Sequence, residues 1–136
     1  MIVLDTNIVL DAFVFNDPAT QPLKLALASQ KIQWIATKAM RDELQRVLAY
    51  PKIVVRLTLY QLSAADVLAQ FDGQAQWLDA APKASVTCRD PDDQKFIDLA
   101  VAHKATLLSK DRAVLCMAKR LSALDVRAHT ATVFVV

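Results

Sequence analysis

Apolar and polar positions alternate between two regimes along this chain. Short continuous apolar runs (IVL at 2–4 closing on Asp5, IQWIAT at 32–37, SVTC at 85–88, ATLLS at 105–109, DVRAH at 125–129) read as strands. Between them, apolar residues recur at helical spacing. Ile8, Val9, Ala12, Phe13 and Phe15 mark one helix over 7–15. Pro22, at a helix's first turn, opens a second that runs to Ser29. Met40, Leu44, Val47 and Leu48 form the stripe of a helix capped by Thr37 and running through Ala49, before Pro51. Val67, Leu68, Phe71 and Leu78 predict a helix over 63–79, Asp90 and Pro91 open another, and 111–121 predicts the last. Residues 53–60 fit a short helix or an extended run equally well. Strands that alternate with helices imply right-handed crossovers and a parallel sheet with helices on both faces, an α/β fold.

No repeat, linker or low-complexity run interrupts the pattern, so residues 1–136 read as a single domain. At 54% hydrophobic and 22% charged, the chain is too rich in core formers to be disordered. No stretch longer than nine residues lacks Asp, Glu, Lys and Arg, which excludes a membrane span. The start, MIVLDTN, has neither a basic region nor an apolar leader, so a cytoplasmic protein is expected. Cys88 and Cys116, with only His103 and His129 beside them, lack zinc-site spacing and read as reduced core thiols. The one glycine, Gly73, rules out a glycine-rich phosphate loop.

Charge is unevenly spread behind a net of +2. Residues 86–100 carry four aspartates against Arg89 and Lys95. Residues 101–136 carry six basic residues against Asp111 and Asp125. That suits a site holding cations beside a surface for a polyanion, although solvated helices carry Lys and Arg as well.

Ligands of open α/β sheets sit beyond the carboxyl ends of the strands. Four acids fall there: Asp5 closes the first strand, Glu43 lies on the helix after the second, Asp93 opens the helix after SVTC, and Asp111 follows ATLLS. Glu43 is the one glutamate against thirteen aspartates. No Lys or Arg is predicted one helical turn away on the same face. Converging carboxylates repel unless protons or cations compensate, and hard oxygen donors select Mg²⁺ or Mn²⁺. Each acid alone has a simpler use: Asp90, Asp92, Asp93 and Asp111 suit helix N-termini, and Asp5 an ordinary turn. Of the three acids in CRDPDD, Asp90 is the expected cap. Asp93, sharing a side with Ile97 and Ala100, is the expected ligand.

The strings IVLDTNIVLDAF, TKAMRDELQRVL, CRDPDDQKFIDLA and LLSKD, in this order over residues 2–112, closely resemble the PIN-domain ribonucleases. The nearest branch is that of toxins from toxin–antitoxin pairs. The resemblance implies a three-layer α/β/α sandwich around a central parallel sheet, and acids that bind divalent metal for RNA hydrolysis. Carried over, those acids are Asp5, Glu43, Asp93 and Asp111, with Asn7 and Ser109 orienting the carboxylates. Asp5, Glu43 and Asp93 would hold a first ion, and Asp111 would complete the site or hold a second. With no Ser–His or Cys–His pair, water attacks the phosphodiester directly. Lys110, Arg112, Lys119 and Arg120, the last three on one helix face, are the expected RNA contacts. The apolar composition points to a homodimer or an antitoxin partner, and to no membrane. The alternatives are a catalytically silent PIN-like module that binds RNA or protein, and a phosphoryl-acceptor module of the receiver type. The second needs an acidic pair after the first strand, where Asn7 stands instead.

Overall fold

Ile2, Val3 and Leu4 form β1 (Ile2–Leu4) as a strand buried on both faces, which is why its sequence is an unbroken apolar run. The computed structural model describes residues 1–131. β1 is followed by α1 (Thr6–Phe13), a 3₁₀ turn at Pro18–Thr20 and α2 (Gln21–Ala28). Then come β2 (Trp34–Ala36), α3 (Lys38–Leu48), α4 (Pro51–Leu59), α5 (Ala64–Gln74) and β3 (Ala75–Trp77). A 3₁₀ turn at Pro91–Asp93 leads into α6 (Gln94–His103), β4 (Thr106–Leu108), α7 (Arg112–Leu115), α8 (Ala118–Ser122) and β5 (Ala128–His129). The strands pair in parallel in the order β3-β2-β1-β4-β5, with Val3 opposite Leu107 and Ile35 opposite Gln76. Helices cover both faces, giving the three-layer α/β/α sandwich that the sequence implied. The chain order reverses between β1 and β4, which is where such sheets open a crevice for ligands.

The core runs from Ile2, Ile35, Ile97 and Leu107 outward to an aromatic group at one end of the sheet. There Trp34 stacks on Phe13 at 6.0 Å and meets the edge of Phe71 at 4.9 Å. Among the described residues no helix is long and apolar enough to cross a membrane.

Three differences from the expected elements have physical causes. The helix predicted over 63–79 stops at Gln74, and Ala75–Trp77 becomes β3. Helical spacing alone favours continuation, but pairing with β2 satisfies main-chain groups that the sheet would otherwise leave open. SVTC at 85–88 is not a strand. Side chains of α6 meet its backbone instead: Gln94 accepts from Cys88 N–H at 2.7 Å and donates to the Val86 carbonyl at 3.1 Å. Asp98 accepts from Ala84 N–H at 2.9 Å. The helix predicted over 111–121 is broken at Met117 into α7 and α8, a turn that keeps Val114, Met117 and Leu121 all buried.

Smaller departures follow the same logic. Pro51 begins α4 rather than only ending α3, as its missing N–H permits. Thr37 sits at the start of α3 without a capping bond from its hydroxyl. Cys88 is buried but Cys116 is exposed, so only one thiol belongs to the core. Residues 132–136 of the apolar tail lie outside the described residues.

With a single glycine in the chain, left-handed backbone falls to other residues. Lys104 ends α6 at φ 50°, ψ 41°, a region that L side chains enter at a cost of roughly 1–2 kcal/mol. Its ammonium is 3.7 Å from exposed Asp125, a pair of little value. Lys104→Gly is therefore expected to stabilise the fold by about 0.5–1 kcal/mol once glycine's greater unfolded-state freedom is offset. Urea denaturation measures it, and a loss of stability would show that the ion pair dominates.

Candidate active site

The strands that flank the switch point end on polar side chains tied together by one buried hydroxyl. Asp5, directly after β1 and 3% exposed, caps α1 by accepting from Ile8 N–H at 3.1 Å through Oδ1. Ser109, directly after β4 and fully buried, donates its hydroxyl to Asp5 Oδ2. The same Ser109 Oγ accepts the backbone N–H of Asp111 at 3.0 Å. Asp111 then caps α7, accepting from Ala113 N–H at 2.9 Å. Two acids 106 positions apart in the chain are thus oriented by one serine.

The turn Pro91–Asp93 brings two more. Asp90 caps it by accepting from Asp92 N–H at 3.0 Å. Asp93 closes it, half-buried, while Asp92 is exposed. One carboxylate oxygen each from Asp90, Asp93 and Asp111 lie within 4.8 Å of one another. Asp93 Oδ2 is buried and receives no hydrogen bond from any described residue. An acceptor buried without a donor costs free energy, and ionised it costs more.

The acidities follow. Burial first, then a hydrogen bond to Asp111 open only to its protonated form, then the charges of Asp111, Asp90 and Asp5 push Asp93 up to about 7. Burial pushes Asp5 up to about 6 despite hydrogen bonds from Ser109 and from the Ile8 and Asn7 backbone, and the charge of Asp111 adds to the rise. Near neutral pH this cluster either keeps protons or takes up positive charge. Three convergent oxygen donors with one orphaned oxygen fit a hard divalent cation.

Glu43 stands apart from that cluster. Thr6, the first residue of α1, donates its hydroxyl to Glu43 Oε2, and Lys95 Nζ lies 2.8 Å from Oε1. The expectation that no cation lies beside the acids is corrected here: Lys95 reaches from α6 across to α3. It was hidden because 52 positions separate the partners. Asn7 is exposed, and its backbone N–H rather than its side chain reaches Asp5.

The expected RNA contacts divide. Lys110 is spent on Asp11, a buried acid of α1 that the sequence reading passed over, at 2.9 Å. Arg112, Lys119 and Arg120 are exposed, but the break at Met117 puts them on two helices, not on one face of a single helix. Sequence reasoning also gave Asp90 a capping role alone; its neighbour Pro91 signals the cap, and nothing local signals the cluster. Thr6 was detectable as the polar residue directly after Asp5, at the first position of a helix.

A family model described as PIN domain matches residues 1–113. Among solved structures, a chain in the crystal structure of VapBC2 from Rickettsia felis bound to a DNA fragment from their promoter has the same fold. It superposes with a TM-score of 0.61 over 94% of this chain and 98% of that one, at 18% sequence identity. No curated protein sequence matches the chain.

Proposed function

Because the chain belongs to the PIN-domain family, we propose that it is a divalent-metal-dependent ribonuclease, the toxin of a toxin–antitoxin pair acting in the cytoplasm. The observation that carries this reading is the orphaned Asp93 oxygen inside a cluster of like-charged carboxylates at the switch point. An arrangement that strains the empty protein persists where a bound cation relieves it.

Asp5, Glu43, Asp93 and Asp111 would hold Mg²⁺ or Mn²⁺, with Asp90, whose carboxylate converges with those of Asp93 and Asp111, beside them. When bound, the cation supplies the positive charge that lowers a water's pKa and offsets the charge building on a phosphodiester. The chain's own work is orientation. Ser109 fixes Asp5 and the start of α7, so these two carboxylates do not have to be ordered when substrate arrives. Arg112, Lys119 and Arg120, exposed on the two helices that follow Asp111, would bind the RNA backbone. For a protein partner, an antitoxin or a second copy of the chain, α4 offers apolar side chains: Val54, Val55 and Leu59 are exposed, as is Tyr50 before it. The likeness to a chain of VapBC2 supports a partner of this kind.

The test is cleavage of mixed RNA by purified protein with Mg²⁺ or Mn²⁺, with and without a chelator. Cleavage is expected only with the metal, and Asp5→Asn is expected to remove it. Cleavage untouched by the chelator, or full activity in Asp5→Asn, contradicts the assignment. No cleavage under any condition leaves the silent binding module.

A further inference from the structure

We infer that Cys88 and Cys116 are a peroxide-responsive thiol pair. Oxidation joins them in a disulfide that ties the turn carrying Asp90 to the end of α7, and reduction releases it. That such a link changes metal uptake rests on the reading that the acids beside it bind a divalent cation. That the link forms does not.

The two thiols, the only cysteines in the chain, meet at one atom. Cys88 Sγ donates to the Ala113 carbonyl at 3.3 Å, and Cys116 Sγ donates to the same oxygen at 3.4 Å. Two sulfurs on one oxygen are no more than about 7 Å apart, and hydrogen-bond geometry holds both on the side of that oxygen away from its carbon. Their surroundings differ in the way a redox pair needs. Cys116, at the end of α7, is exposed, whereas Cys88 is only 4% exposed. An accessible sulfur meets the oxidant first, and a neighbouring thiol resolves it into a disulfide before further oxygen is added.

Hydrogen peroxide is the oxidant. The Cys116 sulfur attacks one peroxide oxygen, the O–O bond breaks, and Cys116 becomes a sulfenic acid as one water is released. The Cys88 sulfur then attacks the Cys116 sulfur. The S–S bond forms as the S–O bond breaks, and the departing hydroxide takes the Cys88 proton and leaves as a second water. Two thiols are oxidised to one disulfide, and the peroxide is reduced to two waters. Both ends of the link touch the acid site. The Asp90 N–H is turned toward the Cys88 sulfur, and the Asp90 carboxylate converges with those of Asp93 and Asp111. Ala113 donates its N–H to Asp111 Oδ1 at 2.9 Å while its carbonyl receives both thiols. A disulfide removes both S–H donors and draws the sulfurs to about 2 Å from each other. The Asp90 turn and the residue that orients Asp111 shift with them, so the spacing of the three converging oxygens changes.

The test treats the reduced full chain with hydrogen peroxide, desalts it and maps its unreduced peptides by mass spectrometry, beside Cys116→Ser. Wild type is expected to lose the mass of two hydrogen atoms, with the peptide of Cys88 joined to that of Cys116 within one chain. Dithiothreitol should restore both thiols, and Cys116→Ser should keep Cys88 as a free thiol. Wild type that keeps both thiols overturns the inference. So does Cys116 joined to its copy in a second chain, or overoxidised while Cys88 stays a free thiol. Cys88 oxidised as fast in Cys116→Ser as in wild type overturns it too. Calorimetric titration of Mn²⁺ reads the consequence. The disulfide form is expected to bind about tenfold more weakly than the reduced form, the low end of the loss when groups behind metal ligands are disturbed. Cys116→Ser should bind equally before and after peroxide. Equal affinity of the two wild-type forms overturns the action of the disulfide on the site. Reduced wild type that takes up no Mn²⁺ brings down the metal reading instead, and the peptide map then decides the thiol pair by itself.

Discussion

Asp93→Asn is expected to lose RNA cleavage and, without metal, to be more stable than the wild-type protein at pH 8. The loss of cleavage should exceed the roughly 10–100-fold typical of groups that only stand behind a metal ligand. The gain in stability has a local cause. Asp93 Oδ2 is buried without a donor, and at pH 8 its carboxylate is ionised beside Asp90 and Asp111. An asparagine of the same shape removes the charge and brings an N–H₂ that can donate to either neighbour. About 1–3 kcal/mol of stabilisation follows, the usual penalty for a buried unsatisfied polar group. At pH 5, where Asp93 is already protonated, the gain should vanish. Denaturation of the two proteins at both pH values, with chelator present, measures it. A destabilised Asp93→Asn at pH 8 would mean that the residue is structural.

The same groups predict how the metal-free protein responds to pH. Burial and neighbouring carboxylates push Asp93 up to about 7, and burial pushes Asp5 up to about 6, both well above the usual carboxylate range. Between pH 4 and 7 the folded state therefore holds more protons than the unfolded state. The stability these groups contribute is complete below about pH 4 and is lost as pH rises through 6 and 7. From pH 5 to pH 8 the loss should be about 2–4 kcal/mol, after allowing for solvent screening at half-buried Asp93. Saturating Mn²⁺ should flatten that decline, since an ion that binds only the folded state stabilises it increasingly as the competing protons leave. Urea denaturation across this range, with and without Mn²⁺, checks both curves. Stability that rises with pH in the absence of metal would show that these carboxylates are ionised throughout.

How much of this was legible beforehand depends on whether the information was local. The runs at 2–4 and 107–108 declare buried strands because every residue in them is apolar, and Asp5 and Asp111 follow them. Asp90 before Pro91 declares a helix start, and the structure has one there. What failed was decided by distant partners. Ala75–Trp77 carries helical spacing yet becomes a strand because β2 lies beside it. SVTC looks like a strand yet is held as a loop by Gln94 and Asp98 of α6. Lys95, from another helix, pairs with Glu43, a contact that no local spacing announces. Periodicity reports which side of an element is apolar. It does not report which polar groups of other elements will meet there.

On the proposed reading, these carboxylates share protons when empty and a cation when filled. Calorimetry of Mn²⁺ binding at pH 6.5, repeated in buffers of different ionisation enthalpy, tests this directly by counting the protons displaced. Wild-type protein is expected to release about one proton per ion at pH 6.5, falling toward zero by pH 8.5, and Asp93→Asn to bind Mn²⁺ weakly or not at all. Binding that releases no proton at pH 6.5, or that proceeds undiminished in Asp93→Asn, would contradict it.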